Sequence, residues 1–170
     1  MVEFMVIAAP RSGTTWAANW LTTDRTLCLH DPLFECHYEH LDRIHTEKLL
    51  GVSCTGLAFF VDWVNAHPAR KVVLHRDIKE INESLDSIGL AALDNTYLDR
   101  LDRIEGYHTD WSDIFNDPKF IYEFLTQRPF DVERHALLST IEMQPEFSKL
   151  KVGREVTRKL LHEIQMSIGA

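Results

Sequence analysis

Seven consecutive residues near the start, Pro10-Arg11-Ser12-Gly13-Thr14-Thr15-Trp16, bring together a permanent cation, a glycine and hydroxyl side chains. Successive backbone N–H groups of residues 11 to 15 can form a nest for an anion, strengthened by the positive end of a helix that follows. Gly13 lets the chain turn and approach such an anion closely. Thr14 and Thr15 add hydroxyl donors, and Arg11 can meet a sulfonate or phosphate through two hydrogen bonds. The usual nucleoside-triphosphate loop places Lys directly after its last glycine, where this chain has Thr14, which disfavours an ordinary ATPase or kinase.

A nest of this kind works only between a strand and a helix. The run Glu3 to Ala9 is near-continuously apolar, as a parallel strand buried on both faces would be. Beyond Gly13 the residues Trp16, Ala17, Trp20 and Leu21 recur at helical spacing, so that a helix N-terminus faces the loop. Leu27 to Leu29 reads as a short second strand, and residues 34–50 as a helix with Tyr38, Leu41 and Ile44 near one face, ending at Gly51. Val52 to Cys54 reads as a third strand, and residues 57–64 as an apolar helix stopped before Pro68. Arg70 to His75 is another clear strand. Asp77 and Glu80 after it have capping-box spacing, and Ile78, Ile81, Leu85 and Ile88 mark an amphipathic helix ending at Gly89. Further helices are expected over residues 90–103, 118–126, 132–142 and 155–167, with a short strand within 106–110. Strands alternating with helices imply right-handed βαβ units and a central parallel sheet of about four to five strands, with ligands at the strands' carboxyl ends.

The loop closely resembles the 5′-phosphosulfate motif of the sulfotransferases, enzymes that use 3′-phosphoadenosine-5′-phosphosulfate (PAPS) as donor. The resemblance implies a three-layer P-loop NTPase-like fold, with Arg11 on the transferring sulfonate, Ser12, Gly13, Thr14 and Thr15 around the 5′-phosphate, and Trp16 stacked on adenine. The family's 3′-phosphate motif has an Arg at a strand end and a Ser eight residues later on the next helix; Arg76 and Ser84 stand at that spacing. Such a pair would grip a terminal phosphate that ATP lacks. His30-Asp31-Pro32-Leu33 is similar to an acidic-Pro-Leu segment of carbohydrate-type sulfotransferases, and residues 107–117 to the family's later strand-and-helix region.

The function that the resemblance implies is transfer of a sulfonate from PAPS to a hydroxyl or amine of a small-molecule or carbohydrate acceptor, with no metal required. Arg11 would stabilise charge on the departing phosphate. A base must usually take the acceptor's proton. Asp31, His30 and Glu35 are the nearest candidates, and Asp31 is preferred for its match to the acidic residue of the carbohydrate branch. A divergent nucleotide or small-molecule kinase and a non-catalytic nucleotide-binding domain are the alternatives. Cys28, His30, Cys36, His37, His40 and His45 match no compact zinc spacing.

The 170 residues suit one domain, 1–170, with 45% hydrophobic and 26% charged residues in the ordinary range. A net charge of −8 argues against a nucleic-acid partner and leaves room only for a focused anion site. The three cysteines do not form a disulfide framework. No apolar run approaches the roughly 20 residues of a membrane span, and no secretory signal precedes the loop, so a cytoplasmic protein is expected.

Overall fold

Phe4–Ala8 (β1), Thr26–His30 (β2), Leu49–Cys54 (β3), Arg70–His75 (β4) and Tyr107–Asp110 (β5) pair in parallel as one sheet in the order β2-β3-β1-β4-β5. This is a computed structural model, and it describes residues 1–141. The helices are Thr14–Leu21 (α1), Val61–Ala66 (α2), Ile78–Asp86 (α3), Asn95–Asp102 (α4), Asp113–Asn116 (α5), Pro118–Thr126 (α6) and Val132–Ser139 (α7). The chain is thus α/β, with a single all-parallel sheet flanked by helices. No helix among the described residues is long and apolar enough to cross a membrane.

Strand β1 explains the layering. Its five residues are all buried, and because side chains alternate across a strand, it feeds two cores. Met5 and Ile7 join Val52, Ile81, Leu85, Tyr97 and Leu101 on the side of α2, α3 and α4. Phe4, Val6 and Ala8 join Trp20, Leu21, Ile114, Ile121 and Leu125 on the side of α1, α5 and α6. Phe4 stands opposite Gly51 of β3, where an added Cβ would fall 2.0 Å from the Phe4 ring. The glycine is therefore a packing requirement of the sheet and not a helix terminator.

That residue belongs to the largest departure from the sequence expectation. Residues 34–50 form no α-helix: the chain makes 3-10 turns at Pro32–Phe34 and Tyr38–Arg43, then enters β3 at Leu49. Tyr38, Leu41 and Ile44 recur every three residues, which is the period of a 3-10 helix as much as a face of an α-helix. Only Leu41 in the second turn is fully buried, too little to anchor an amphipathic helix. Leu49 and Leu50 instead complete the ladder with Thr26 and Leu27.

Smaller differences have local causes. The helix expected over 57–64 is split at Phe60 into a 3-10 turn, Gly56–Phe59, and α2. The helix expected over 90–103 begins only at Asn95, because Asp94 caps it by accepting from the Thr96 N–H and because Asn82 holds Leu93 outside it by two hydrogen bonds. The short helix α5 was not foreseen, and the helix expected over 132–142 ends at Ser139. The helix expected over 155–167 lies outside the described residues.

Strand order places a switch point at β1. The connection through α1 carries the chain to β2 on one side, and after β3 has filled the gap, α2 carries it across to β4 on the other. A crevice at the carboxyl end of β1 is the expected ligand position in an open sheet of this kind. The loop Ala9–Gly13 lies there.

Candidate functional site

The loop is held in an unusual conformation. Arg11 has φ 66° and Gly13 φ 82°, both left-handed, and alternation of this sort turns consecutive N–H groups toward one concavity. The left-handed region costs a non-glycine residue roughly 1–2 kcal/mol. At Gly13 the requirement is stricter, since an added Cβ would also meet Ile114 Cδ1 at 2.9 Å. The Ser12 N–H donates to the Ala9 carbonyl at 3.2 Å, closing the turn. The Ser12 hydroxyl is buried and has no hydrogen-bond partner among the described residues.

Helix α1 then starts without a capping side chain and without an acidic residue in its first turn, leaving its positive end uncompensated. Its other end is neutralised: Arg134 Nη2 donates to the carbonyls of Asn19 at 2.9 Å and Thr22 at 2.6 Å. Ser53 of β3 fixes the entry to the helix by donating to the Thr14 carbonyl at 2.9 Å.

Two cations converge on the loop from opposite directions in sequence. Arg11 Nε donates to Ser84 Oγ of α3 at 2.8 Å, and Arg76, just beyond β4, donates to the Arg11 carbonyl. Arg76 also pairs with Glu80 at 3.0 Å, and its guanidinium lies 4.3 Å over the Trp111 ring. Partial burial, and after it the Arg76 charge, hold the Arg11 pKa below the usual guanidinium value. Two neighbouring guanidinium groups, of which only Arg76 is paired with a carboxylate, favour an added anion. Arg11, Arg76 and Ser84 are thus one cluster, although they come from two separate motifs.

Trp16 points into the second core. It is 7% exposed, its ring centroid lies 4.6 Å from that of Phe115, and its indole N–H donates to the Leu138 carbonyl. The aromatic ring beside the loop is Trp111, whose Cε3 lies 3.9 Å from the Cβ position of Gly13.

Beyond β2, His30 Nε2 approaches the hydroxyls of Thr14 at 3.3 Å and Thr15 at 3.1 Å and the Asp31 carboxylate at 3.2 Å. A carboxylate at that distance favours the tautomer with its hydrogen on Nε2. Asp31 itself is left-handed, φ 43°. Its Oδ1 accepts from the Thr55 N–H at 2.6 Å and the Thr55 hydroxyl at 3.1 Å. Tyr97 of α4 completes this wall by donating to the Thr55 carbonyl at 2.5 Å. Asp31 therefore stands one imidazole away from the loop, clamped by the first residue after β3. Glu35, the third candidate for a base, lies at the end of the first 3-10 turn.

Asp31 also borders a cavity of about 300 Å³ whose other walls are mainly Leu33, Phe34, Tyr38, Phe59 and Phe60. Cys54 lines it too, and burial followed by the Asp31 charge pushes that thiol up to about 12, so it stays protonated. Trp111, Thr55 and Tyr97 were not singled out in the sequence. The signal for the first two was position: each directly follows a strand, as Asp31 and Arg76 do.

No protein-family model matches this chain, and no curated protein matches it at a significant level.

Proposed function

We propose that the chain is a PAPS-dependent sulfotransferase with a P-loop NTPase-like fold. The observation that carries this reading is the loop itself: left-handed Arg11 and Gly13, an unpartnered buried Ser12 hydroxyl and an uncapped helix end converge with Arg76. Backbone strain in a non-glycine residue persists where the surroundings over-determine it, and such residues cluster at functional sites. Arg11 and Asp31 are two of the three left-handed non-glycine residues among those described; the third, Gln127, ends α6.

The residues present fit the donor. The N–H groups of residues 13 to 15 and the hydroxyls of Ser12, Thr14 and Thr15 would hold the 5′-phosphate, with Arg11 reaching the sulfonate. Arg76 and Ser84 would hold the 3′-phosphate, an anion for which Arg11 would release Ser84. Trp111 supplies the aromatic wall near the loop, while Trp16 secures α1 from beneath. An acceptor oxygen attacks sulfur, the bond from sulfur to the 5′-phosphate oxygen breaks, and its electron pair leaves with 3′,5′-ADP. Arg11 and the loop N–H groups stabilise the growing charge on that phosphate. The acceptor's proton passes to the Asp31 carboxylate, which Thr55 and His30 hold in place.

Calorimetric titration with 3′,5′-ADP, 5′-AMP and ATP, with and without magnesium, tests the reading. Binding of 3′,5′-ADP without metal, about 10- to 100-fold tighter than 5′-AMP, is expected from the charge-assisted bonds to the extra phosphate. Equal affinities would remove Arg76 and Ser84 from that role, and a magnesium-dependent preference for ATP would favour a kinase.

A further inference from the structure

The cavity beside Asp31 has a second half across an aromatic ridge. Tyr38, Phe59 and Phe60 line both the 300 Å³ cavity and a neighbouring one of about 370 Å³, which is bordered by Arg100, Arg103, Trp63 and Asp62. The ridge is open to solvent in a way that costs the folded protein hydrophobic burial: Phe59 is 56% exposed, and Phe34 at the rim of the first cavity is 88% exposed. Large apolar side chains grouped at a cavity mouth, rather than scattered singly, mark a binding surface.

The far side of the ridge is charged. The Arg100 guanidinium lies 4.6 Å over the Phe59 ring. Among the described residues neither Arg100 nor Arg103 forms an ion pair within 4 Å. The one carboxylate on this wall, Asp62, leaves the two arginines in excess. The charged end is also joined to Asp31 through a continuous set of contacts. Thr55 donates to Asp31, Tyr97 donates to the Thr55 carbonyl, and the Tyr97 ring packs edge-on at 5.5 Å against Phe59, the ring over which Arg100 lies.

We infer that the acceptor is a hydroxylated ring compound bearing a carboxylate at the end remote from its reacting hydroxyl. The inference rests on sulfonate transfer for the identity of the reacting group. The ring lies between Leu33, Phe34 and the Phe59–Phe60 ridge, its hydroxyl meets Asp31, and its carboxylate crosses the ridge to Arg100. A neutral phenol would fill the apolar half alone, and a polyhydroxylated sugar would leave its hydroxyls against phenyl rings without partners, which disfavours it.

The test is calorimetric titration of the full chain with a matched pair of phenols, 4-methylphenol and 3-(4-hydroxyphenyl)propionate, each with and without saturating 3′,5′-ADP. The carboxylated phenol should bind about tenfold tighter or more, the scale of one charge-assisted bond. Arg100→Gln should reduce that preference to about twofold or less while leaving 4-methylphenol unchanged, and Phe59→Ala should weaken both compounds. Thermal melting of each variant establishes that it is folded, and Arg103→Gln gives a second reading should Arg100→Gln not fold. Equal affinities for the two phenols, or no binding of either while 3′,5′-ADP binds, overturn the inference and leave the donor reading standing. Binding of the carboxylated phenol by a chain that ignores 3′,5′-ADP supports the pocket and removes the donor reading. A chain that binds neither phenol nor nucleotide overturns both.

Discussion

On one side of the cleft the groups that could hold an anion are fixed by the backbone, whereas on the other the cavity walls are side chains carried by short turns. The loop Ala9–Gly13 sits between a fully buried strand and a helix, and its shape is set by two left-handed residues and by Ser53, Ser84 and Arg76. The walls beyond β2 and β3 come from three 3-10 turns at Pro32–Phe34, Tyr38–Arg43 and Gly56–Phe59. The difference teaches where specificity can vary. A phosphate is the same in every donor and suits a rigid backbone nest, while an acceptor is recognised by side chains that can be exchanged without disturbing the sheet.

If that division holds, chemistry should fail first at the loop. Arg11→Ala is expected to lower sulfonate transfer by about 1000-fold, the upper range for removing one preorganised charge-stabilising group. Its thermal midpoint should move little, because the half-buried side chain makes a single hydrogen bond, to Ser84. Full turnover by the folded variant would break the comparison, leaving the loop as a nucleotide holder and no more. Asp31→Asn, on the other side, should cost about 100-fold in turnover and leave 3′,5′-ADP affinity nearly unchanged. Unchanged turnover would transfer the base to His30 or Glu35.

Gly13→Ala asks whether the nest is a matter of backbone shape. A left-handed alanine with its Cβ 2.9 Å from Ile114 Cδ1 should destabilise the fold by about 1–3 kcal/mol. It should also weaken 3′,5′-ADP in calorimetry, because relief of the clash moves the N–H groups proposed to hold the phosphate. A variant with wild-type stability and affinity would show that the loop tolerates another shape.

The same division accounts for what could be read from residues alone. Elements with a strong period and clear punctuation were legible: β1 and β4 from apolar runs, α3 from Asp77 to Gly89, and α6, which begins at Pro118. The resemblance to the sulfotransferase motifs also pointed to Arg11, Arg76 and Ser84, which meet in space across 65 and 73 residues. The stretch 34–50 was not, because a repeat of three residues fits a 3-10 turn and an α-helix face alike, and Gly51 serves packing against Phe4 rather than termination. The cavity was invisible for the same reason: its walls come from turns whose positions depend on long-range contacts. Trp111 and Thr55 lay within reach, had each strand end been treated as a source of site residues.

The smallest effect tests how the side-chain-built half is fastened. Asp42, in the second 3-10 turn, accepts from the Val2 N–H at 2.7 Å and from His67 Nε2 at 3.1 Å. His67 Nδ1 accepts from the Ala69 N–H at 3.1 Å, so the neutral ring carries its hydrogen on Nε2 and donates it to Asp42. This clip ties the turn bearing Tyr38 to the residues just before β1 and β4. Burial pushes the Asp42 carboxyl up, but the hydrogen bonds from Val2 and His67 outweigh it, and the net direction is below the usual carboxylate range. A depressed carboxyl pKa stabilises the fold fully above the unfolded value of about 3.9, and the contribution is lost as pH falls through the lower, folded value. The side chain is 38% exposed, so solvent screening keeps the contribution within about 1 kcal/mol. Asp42→Asn should therefore lower the urea midpoint slightly at pH 7, and the gap from the parent should close below about pH 4. Amide exchange in the variant should rise across Tyr38–Arg43 and stay unchanged across residues 9–15, since nothing in the loop leans on this clip. Equal rises in both segments would mean that the two sides open together, and that the rigid and the side-chain-built halves are one cooperative unit.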